Sequence, residues 1–395
     1  MLNKEVRVLE KRKYTFFRLI FGAEILLITF TGCWNYREVE KLGIVAGVAI
    51  DYNKETKKYL VTTEILDIKG GKENTTNTQI ISTEGDTIFD AIRNLLQDPG
   101  RKLYFSHTKV LIISKDIAES GILSVIDVMN RQEETRHDID ILISSDKASE
   151  VFACKKNASE ILSYKISDTL LVSQENLPIA PKVDLWQFIN QVSAEDEAGI
   201  LPIIHEVYEK DNVKLEISGA GIFKGQKLIG YLNGEDAHML LFVRDEIKDG
   251  LLVIEDLYED KKTKVTLELL NNKTKITPYY SEDKLIMKIN IKSEAVLGEN
   301  MGLEDFSSEE GMKKLKNVAE KKIKNEVTEL INKVQKQSGS DVFKFGKAIR
   351  VKRPDLWEQF NKNWDAIFLL VEIDVDVDMQ IKNSGIQGKP IKVGY

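Results

Sequence analysis

Strand-like and helix-like segments alternate through the first half of this chain. Residues 43–50 and 58–68 have the β-branched and apolar composition of strands, and residues 110–113 form the continuous apolar run of a buried strand. Residues 87–97 and 116–130 instead repeat apolar side chains at helical spacing. This alternation predicts an α/β fold, with a mixed sheet and helices packed against it.

The same patterns continue toward the carboxyl end, where a long apolar stripe predicts a long helix. The helix is predicted to begin at a cap on Ser307 and to end at Ser338-Gly339. Residues 70–77 are polar and predict a loop. Further strands are predicted at 138–144, 214–223, 227–232, 265–269, 285–291 and 367–381, and further helices at 147–154, after Asn233 and from Pro354.

Length and breaks in composition predict three folded domains. A chain of 395 residues exceeds one ordinary core. The Pro178–Pro181 segment and the acidic run at 195–197 place the first boundary near residue 205. The predicted units are a leader at 1–32, an N-terminal α/β domain at 33–205, a small middle domain at 206–260 and a C-terminal α/β domain at 261–395.

The first 32 residues have the pattern of an export signal. Six basic residues precede or interrupt an apolar stretch that ends directly before Cys33. The longest uncharged piece, residues 25–32, is far shorter than the roughly 20 residues that a helix needs to span a bilayer. A cleaved leader is therefore favoured, while a permanent transmembrane helix remains an alternative.

Thr31-Gly32-Cys33 resembles the lipobox of bacterial lipoproteins. Phe30 stands where that pattern prefers leucine, and Glu24 interrupts the apolar core. The resemblance implies cleavage between Gly32 and Cys33, a diacylglyceryl group on the thiol and an acyl group on the new amino terminus. The alternative is a buried cysteine in an uncleaved leader.

Charge and metal-ligand content exclude several classes of function. The formal net charge is −7, and the leader has more basic than acidic groups, so the rest of the chain is distinctly acidic. Such a surface has no general attraction for phosphate backbones, which disfavours nucleic acid as a partner. Cys33 and Cys154 are the two cysteines, and with four histidines they form no recognisable zinc motif. We therefore predict no metal and no other cofactor.

An alternating acidic segment near the carboxyl end invites a metal or acid–base interpretation. Its members are Glu372, Asp374, Asp376 and Asp378. Same-face neighbours on a strand lie roughly 6.6–6.8 Å apart, which is too far for adjacent carboxylates alone to share a calcium ion. We expect instead a solvated face next to a strand that carries Lys288 and Lys292.

Three other polar groups are considered as sites. His107, His137 and Cys154 could be imagined as a thiol with a base, but the surroundings of Cys154 favour a small apolar residue on a helix. Arg131, Glu133, Glu134 and Arg136 predict a solvated connection. The lysines between residues 313 and 324 predict the wet face of a helix, with a membrane-surface role as the alternative.

Several phrases occur together in an order that resembles the Ger(x)C family, the lipoprotein C subunits of spore germinant receptors. They are CWNYREVEKLGIVAGVAID (33–51), GRKLYFSHTKVLIIS (100–114), GILSVIDVMNRQEETR (121–136), GAGIFKGQKLIGYLNGEDA (219–237) and RPDLWEQFNKNWDAIF (353–368). The resemblance implies a three-domain α/β protein without catalytic residues. It also makes a buried structural role for one arginine of the 131–136 cluster plausible.

The resemblance further implies a place and partners for the chain. It would be lipid-anchored through Cys33 on the outer face of the spore inner membrane, beside membrane-embedded receptor subunits of A and B type. Coupling or scaffolding these subunits, so that a nutrient triggers germination, is the first functional hypothesis. A lipoprotein that binds a small nutrient directly is the second. A lipid-tethered hydrolase of wall material is the third, and no carboxylate pair in the sequence can be named for it.

Overall fold

The computed structural model of the protein describes most of the chain. Residues 15–18 and 20–22 are helical and belong to a unit that ends at Leu42, and Phe16 and Phe17 are exposed there. The chain from Gly43 onward forms a second compact unit. The described residues are 15–18, 20–22, 42–68, 76–95, 102–157, 159–209, 212–255, 257, 263–302, 304–306 and 308–382.

A mixed sheet of nine strands organises the first two thirds of the described chain. Its strands are β1 (Leu42–Asn53), β2 (Lys58–Ile68), β3 (Thr76–Gly85), β4 (Lys102–Tyr104), β5 (Val110–Ser114), β6 (Asp140–Ser144), β7 (Gly199–Glu209), β8 (Asn212–Lys224) and β9 (Lys227–Leu232). The order across the sheet is β3-β2-β1-β5-β6-β7-β8-β9, and β4 pairs with β1. The neighbours from β1 to β7 are parallel, and antiparallel strands flank them on both sides.

Helices cover both faces of this sheet, as the predicted α/β class requires. In chain order they are α1 (Ile88–Asn94), α2 (Lys115–Ser120), α3 (Leu123–Arg131), α4 (Ala148–Ala153), α5 (Leu162–Asn176), α6 (Leu185–Ser193) and α7 (Gly234–Val243). The central strand β5 shows how the faces divide. Leu111 and Ile113 enter the larger core, whereas Val110 and Ile112 enter a smaller core beneath α4 and α5. The predicted fold class is confirmed.

The described residues that follow form a second sheet and one long helix that packs on it. The sheet order is β10-β11-β12-β13, with the last pair parallel. One face of β13 packs on the apolar stripe of the long helix, and the other face is exposed to solvent. The elements are β10 (Gly250–Ile254), β11 (Val265–Ser281), β12 (Lys284–Asn300), α8 (Glu309–Gln337), α9 (Phe345–Lys352), α10 (Pro354–Phe360), α11 (Trp364–Phe368) and β13 (Glu372–Lys382).

Two buried carboxylates of the large sheet cap helices that have no side-chain cap of their own. Glu64 on β2 is completely buried and accepts hydrogen bonds from the backbone N–H groups of Leu162 and Ser163, at 3.0 and 2.8 Å. Asp51 on β1 accepts from the N–H groups at the start of α4, Ala148 at 2.7 Å and Ser149 at 2.9 Å. A carboxylate at a helix N-terminus satisfies free N–H groups and interacts favourably with the helix dipole.

Further groups complete the surroundings of Glu64. The hydroxyls of Ser163 and Thr78 donate to it at 2.7 and 3.0 Å, and the Lys155 ammonium lies 3.6 Å away. Gly47 provides the space for this contact, because a Cβ atom there would lie 2.1 Å from the Ser163 hydroxyl. The start of α5 is therefore held against β1 and β2.

Several predicted elements differ from those observed in the large sheet and its helices. The helix predicted at 116–130 is two helices, because Gly121 has a φ of 145° and the next N–H donates to the carbonyl of Gln226. Sequence patterns did not predict β3, which includes two residues of the predicted loop at 70–77. They also did not predict β4, β7, α5 and α6.

The C-terminal part differs from prediction at two boundaries. The long helix is capped by Ser308 rather than Ser307, since the Ser308 hydroxyl accepts from the N–H of Gly311 at 3.1 Å. The strand predicted to begin at residue 367 begins at Glu372. A short helix, α11, precedes this strand, and its buried residues are Trp364 and Phe368, four residues apart on one face.

The domain division drawn from the sequence stays a prediction. Its boundary at residue 205 lies within β7, and hydrogen bonding of the large sheet continues through β8 and β9.

Replacing Glu64 with alanine is expected to destabilise the protein by about 3–5 kcal/mol, because it removes the carboxylate that pairs with the buried Lys155 ammonium and uncaps α5. The free energy of unfolding of the full chain, measured with urea, tests this expectation. Glu84→Ala, an exposed acid on the neighbouring strand β3, is the matched control and should stay within about 0.5 kcal/mol of the wild type. Equal stability of the two variants would contradict the role of Glu64.

Stability is also expected to fall with acidification because of His238 on α7. Burial lowers the pKa of this imidazole, whose Nδ1 donates to the Pro178 carbonyl at 2.9 Å. Its Nε2 has no hydrogen-bond partner among the described residues. The unfolded chain therefore takes up the proton more readily, and stability is lost as pH falls below the ordinary histidine pKa of about 6.5.

Urea unfolding between neutral and mildly acidic pH measures this effect. His238→Gln should remove this part of the pH dependence, whereas His107→Gln, at an exposed histidine, should retain it. A wild-type slope in the His238→Gln protein would show that another group is responsible.

Candidate functional site

The residue with a predicted chemical modification, Cys33, lies outside the described residues, as do Thr31 and Gly32. Lipidation at Cys33 therefore stays a prediction. Within the described part of the chain, no helix is both long enough and apolar enough to cross a membrane.

The second cysteine, Cys154, has the properties of a structural thiol. It is half-buried at the carboxyl end of α4, where its Sγ lies 3.4 Å from the Glu150 carbonyl oxygen that accepts its hydrogen bond. Burial, assisted by the nearby Glu206 carboxylate, raises the pKa of the thiol to about 11. The thiol is protonated at neutral pH and is a weak nucleophile.

The two histidines considered with Cys154 have other neighbours. His137 Nε2 lies 2.9 Å from the Asn130 side-chain oxygen, and its ring meets Trp186 edge to face at 6.2 Å. The His107 ring lies 6.0 Å from the Tyr104 ring. The described contacts of Cys154 include neither histidine, so the geometry does not support a thiol–imidazole pair.

The predicted adjacency of acids and lysines in the second sheet is confirmed. The exposed face of β12 and β13 carries a set of facing charges that we call the charged ladder. Lys288 is in register with Asp374, and Lys292 with Asp378. The Lys288 ammonium lies 3.9 Å from the Asp374 carboxylate. The ladder consists of Lys284, Lys288, Lys292, Glu372, Asp374 and Asp378.

Two further contacts at this face show how its charges are balanced. Lys284 pairs with Glu372 at 2.7 Å, and Lys316 of the long helix reaches Asp378 at 2.9 Å. The hydrogen bond from Lys316 lowers the pKa of Asp378 and raises the pKa of the lysine. Each exposed pair contributes about 0–1 kcal/mol to stability. The charged ladder is therefore a surface on which each acid lies next to a lysine.

The described residues contain no cluster of three or more histidine, cysteine, aspartate or glutamate side chains that could hold a metal ion. Asp376, the remaining acid of the alternating segment, is in register with Asn290.

The charged cluster after α3 is a solvated connection, as predicted. Arg131 pairs with Asp127 at 2.8 Å and Arg136 with Asp138 at 2.7 Å, and the two arginine side chains are 76% and 65% exposed. The expectation of a buried arginine in this cluster is wrong for both. A buried arginine is found at Arg244 instead, which is 2% exposed and pairs with Glu246 at 2.9 Å.

The lysines of the long helix lie on its wet face, also as predicted. Lys313, Lys314, Lys321 and Lys324 are exposed, whereas the apolar residues between them, such as Leu315 and Ile323, are buried.

A buried carboxylate that the sequence did not reveal organises the loop before α9. Asp341 accepts hydrogen bonds from the N–H groups of Phe343, Phe345 and Gly346 and from the Trp364 indole. Burial raises the pKa of Asp341 to about 7, although the four hydrogen bonds act to lower it. Its own carbonyl accepts from Ala198 at 2.8 Å, which ties the loop to the segment that enters β7. Asp341 is a structural centre of the fold.

Comparison with known proteins finds relatives along nearly the full chain. The family described as "Spore germination protein N-terminal domain" matches residues 35–206, and the family "Spore germination B3/GerAC like, C-terminal" matches residues 218–385. Spore germination protein B3 of Bacillus subtilis (strain 168) is 26% identical, covering 92% of this chain and 97% of the relative. Spore germination protein GerQC of Bacillus cereus is 25% identical, with the same two coverages.

A solved structure has the same fold. The crystal structure of the GerBC protein superposes with a TM-score of 0.54 at 22% identity, covering 87% of this chain and 99% of the other. The two family matches lie in the expected order and together span most of the sequence. The protein therefore belongs to the Ger(x)C family of spore germination proteins.

Proposed function

We propose that this protein is a non-enzymatic, lipid-anchored subunit of a spore germinant receptor. In this role it couples membrane-embedded subunits of A and B type, so that a nutrient triggers germination. The observation that carries the proposal is the match to spore germination proteins along nearly the full chain, joined to a lipobox-like Thr31-Gly32-Cys33.

The proposed mechanism is positional. Acylation of Cys33 supplies about 0.8 kcal/mol for each methylene buried in the bilayer, and two or more chains hold a protein stably where one does not. Confinement to the outer face of the spore inner membrane raises the effective concentration of the folded body beside integral partners. The surfaces of the folded body then bind the partner subunits. A non-enzymatic role is in keeping with a protonated thiol at Cys154 and with paired acids in the charged ladder.

Mass spectrometry of the protein from spore membranes tests the anchor. We expect a mature chain that begins at Cys33 and carries a diacylglyceryl thioether. Cys33→Ala should lose this modification and the cleavage, because no thiol remains to accept the lipid, and nutrient-triggered germination should fall. Cys154→Ala is the matched control, since it removes the other cysteine and should leave processing and germination unchanged. A free thiol at Cys33 with residues 1–32 still attached would contradict the anchor.

Crosslinking in intact spore membranes tests the coupling separately. A photoreactive residue on the exposed face of β13, for example at Asp376, should yield adducts with integral receptor subunits. The same probe in the Cys33→Ala protein should yield far fewer adducts, because the body is no longer confined beside its partners. If probes at several exposed positions all fail to crosslink to an integral membrane protein, the coupling role is contradicted even when the anchor is present.

A further inference from the structure

A cavity of about 280 Å³ opens on the face of the large sheet that α4 and α5 cover. Its floor is apolar and comes from one helix and two paired strands. Leu162 and Ile166 of α5 meet Ile204 of β7 and Ile217 of β8, and all four are buried. Val213 and Leu215, both half-buried, extend the wall along β8.

The rim of this cavity has an excess of positive charge. Lys156, Lys165 and Lys214 line it together with one acid, Glu160. Lys165 neutralises that acid, since its ammonium lies 2.6 Å from the Glu160 carboxylate and lowers the pKa of the acid. Among the described residues, Lys156 and Lys214 have no carboxylate within salt-bridge distance.

At the Cys154 end of the cavity a carboxylate, Glu206, lies beside the thiol. The thiol is protonated at neutral pH because its pKa is about 11. The adjacent Glu206 accepts a hydrogen bond from the Tyr208 hydroxyl at 3.0 Å. An anion in this cavity is therefore expected at the lysine rim, beside Lys156 and Lys214, and away from the Glu206 carboxylate at the other end.

Size and composition limit what this cavity holds. An apolar floor with a few polar groups at the mouth is the usual composition of a small-molecule site. At about 30 Å³ for each water-sized group, 280 Å³ accommodates roughly nine non-hydrogen atoms. That is the size of a six-carbon chain with one carboxylate.

We propose that this cavity binds a small aliphatic carboxylate, with the chain against Leu162, Ile166, Ile204 and Ile217 and the carboxylate between Lys156 and Lys214. The inference is independent of the anchor at Cys33. It assigns to the folded body a ligand-binding role beside the proposed coupling role.

Calorimetric titration of hexanoate into the full chain in nanodiscs, with empty nanodiscs as the blank, tests the proposal. Hexanoate should bind about fifteenfold more tightly than butanoate, because each buried methylene raises affinity about fourfold. Hexan-1-ol should bind clearly more weakly than hexanoate, since it has the chain without the charge.

Variants distinguish this cavity from other sites. Lys156→Glu and Lys214→Glu should each weaken hexanoate binding by at least about tenfold, because a charged hydrogen bond is replaced by repulsion. Leu215→Trp should abolish binding by filling the cavity from a half-buried position. Lys248→Glu is the matched control, an exposed lysine that does not line the cavity, and it should bind as the wild type does.

Thermal unfolding without ligand verifies that each variant is folded. Three outcomes would overturn the proposal: no hexanoate binding by the folded wild type, equal affinity for hexanoate and hexan-1-ol, or unchanged binding in folded Leu215→Trp. The first outcome would also be expected if the cavity receives an aliphatic side chain of a partner protein instead. None of these outcomes bears on the lipid at Cys33, so the two proposals fail separately.

Discussion

The buried carboxylate of Glu64 is the contact on which the position of α5 over the large sheet depends. Helix α5 begins at Leu162 without a side-chain cap of its own, and β2 supplies the acceptor from nearly a hundred residues earlier. Removing a carboxylate from water is costly, and four hydrogen-bond donors together with Lys155 offset that cost here. The same contact places Leu162 and Ile166, which form part of the floor of the lysine-rimmed cavity.

Local patterns predicted much of the fold. The strands at 58–68 and 227–232 and the helix that begins at Pro354 agree closely with the structure, since apolar periodicity and turn residues specify them within a few positions. Helix α5 was missed because its buried positions include Ser163 while Leu171 and Val172 are exposed, so its sequence shows no clean apolar stripe. Its position is decided by Glu64, which no local pattern reveals.

The candidate sites divide in the same way. The charged ladder was predictable because alternation along a strand places acids on one face, and the lysines of β12 alternate with the same period. The lysine-rimmed cavity was not predictable, because each of its residues is an ordinary apolar or basic residue and α5, β7 and β8 bring them together only in the folded state. The burial of Arg244 was not predicted for the same reason. Its partner Glu246 is two residues away in the sequence, but the side chain is buried by residues that only the folded chain brings near it.

The pairing of β7 with β8 joins the two regions that the family matches treat as separate. The N-terminal match ends at residue 206, within β7, and the C-terminal match begins at residue 218, within β8, yet the two strands are antiparallel neighbours along most of their length. Either half produced alone would therefore expose a long unpaired strand edge, a template for aggregation. In the intact chain the same ladder of backbone hydrogen bonds pairs that edge, so the two halves share one continuous sheet and neither leaves its strand exposed.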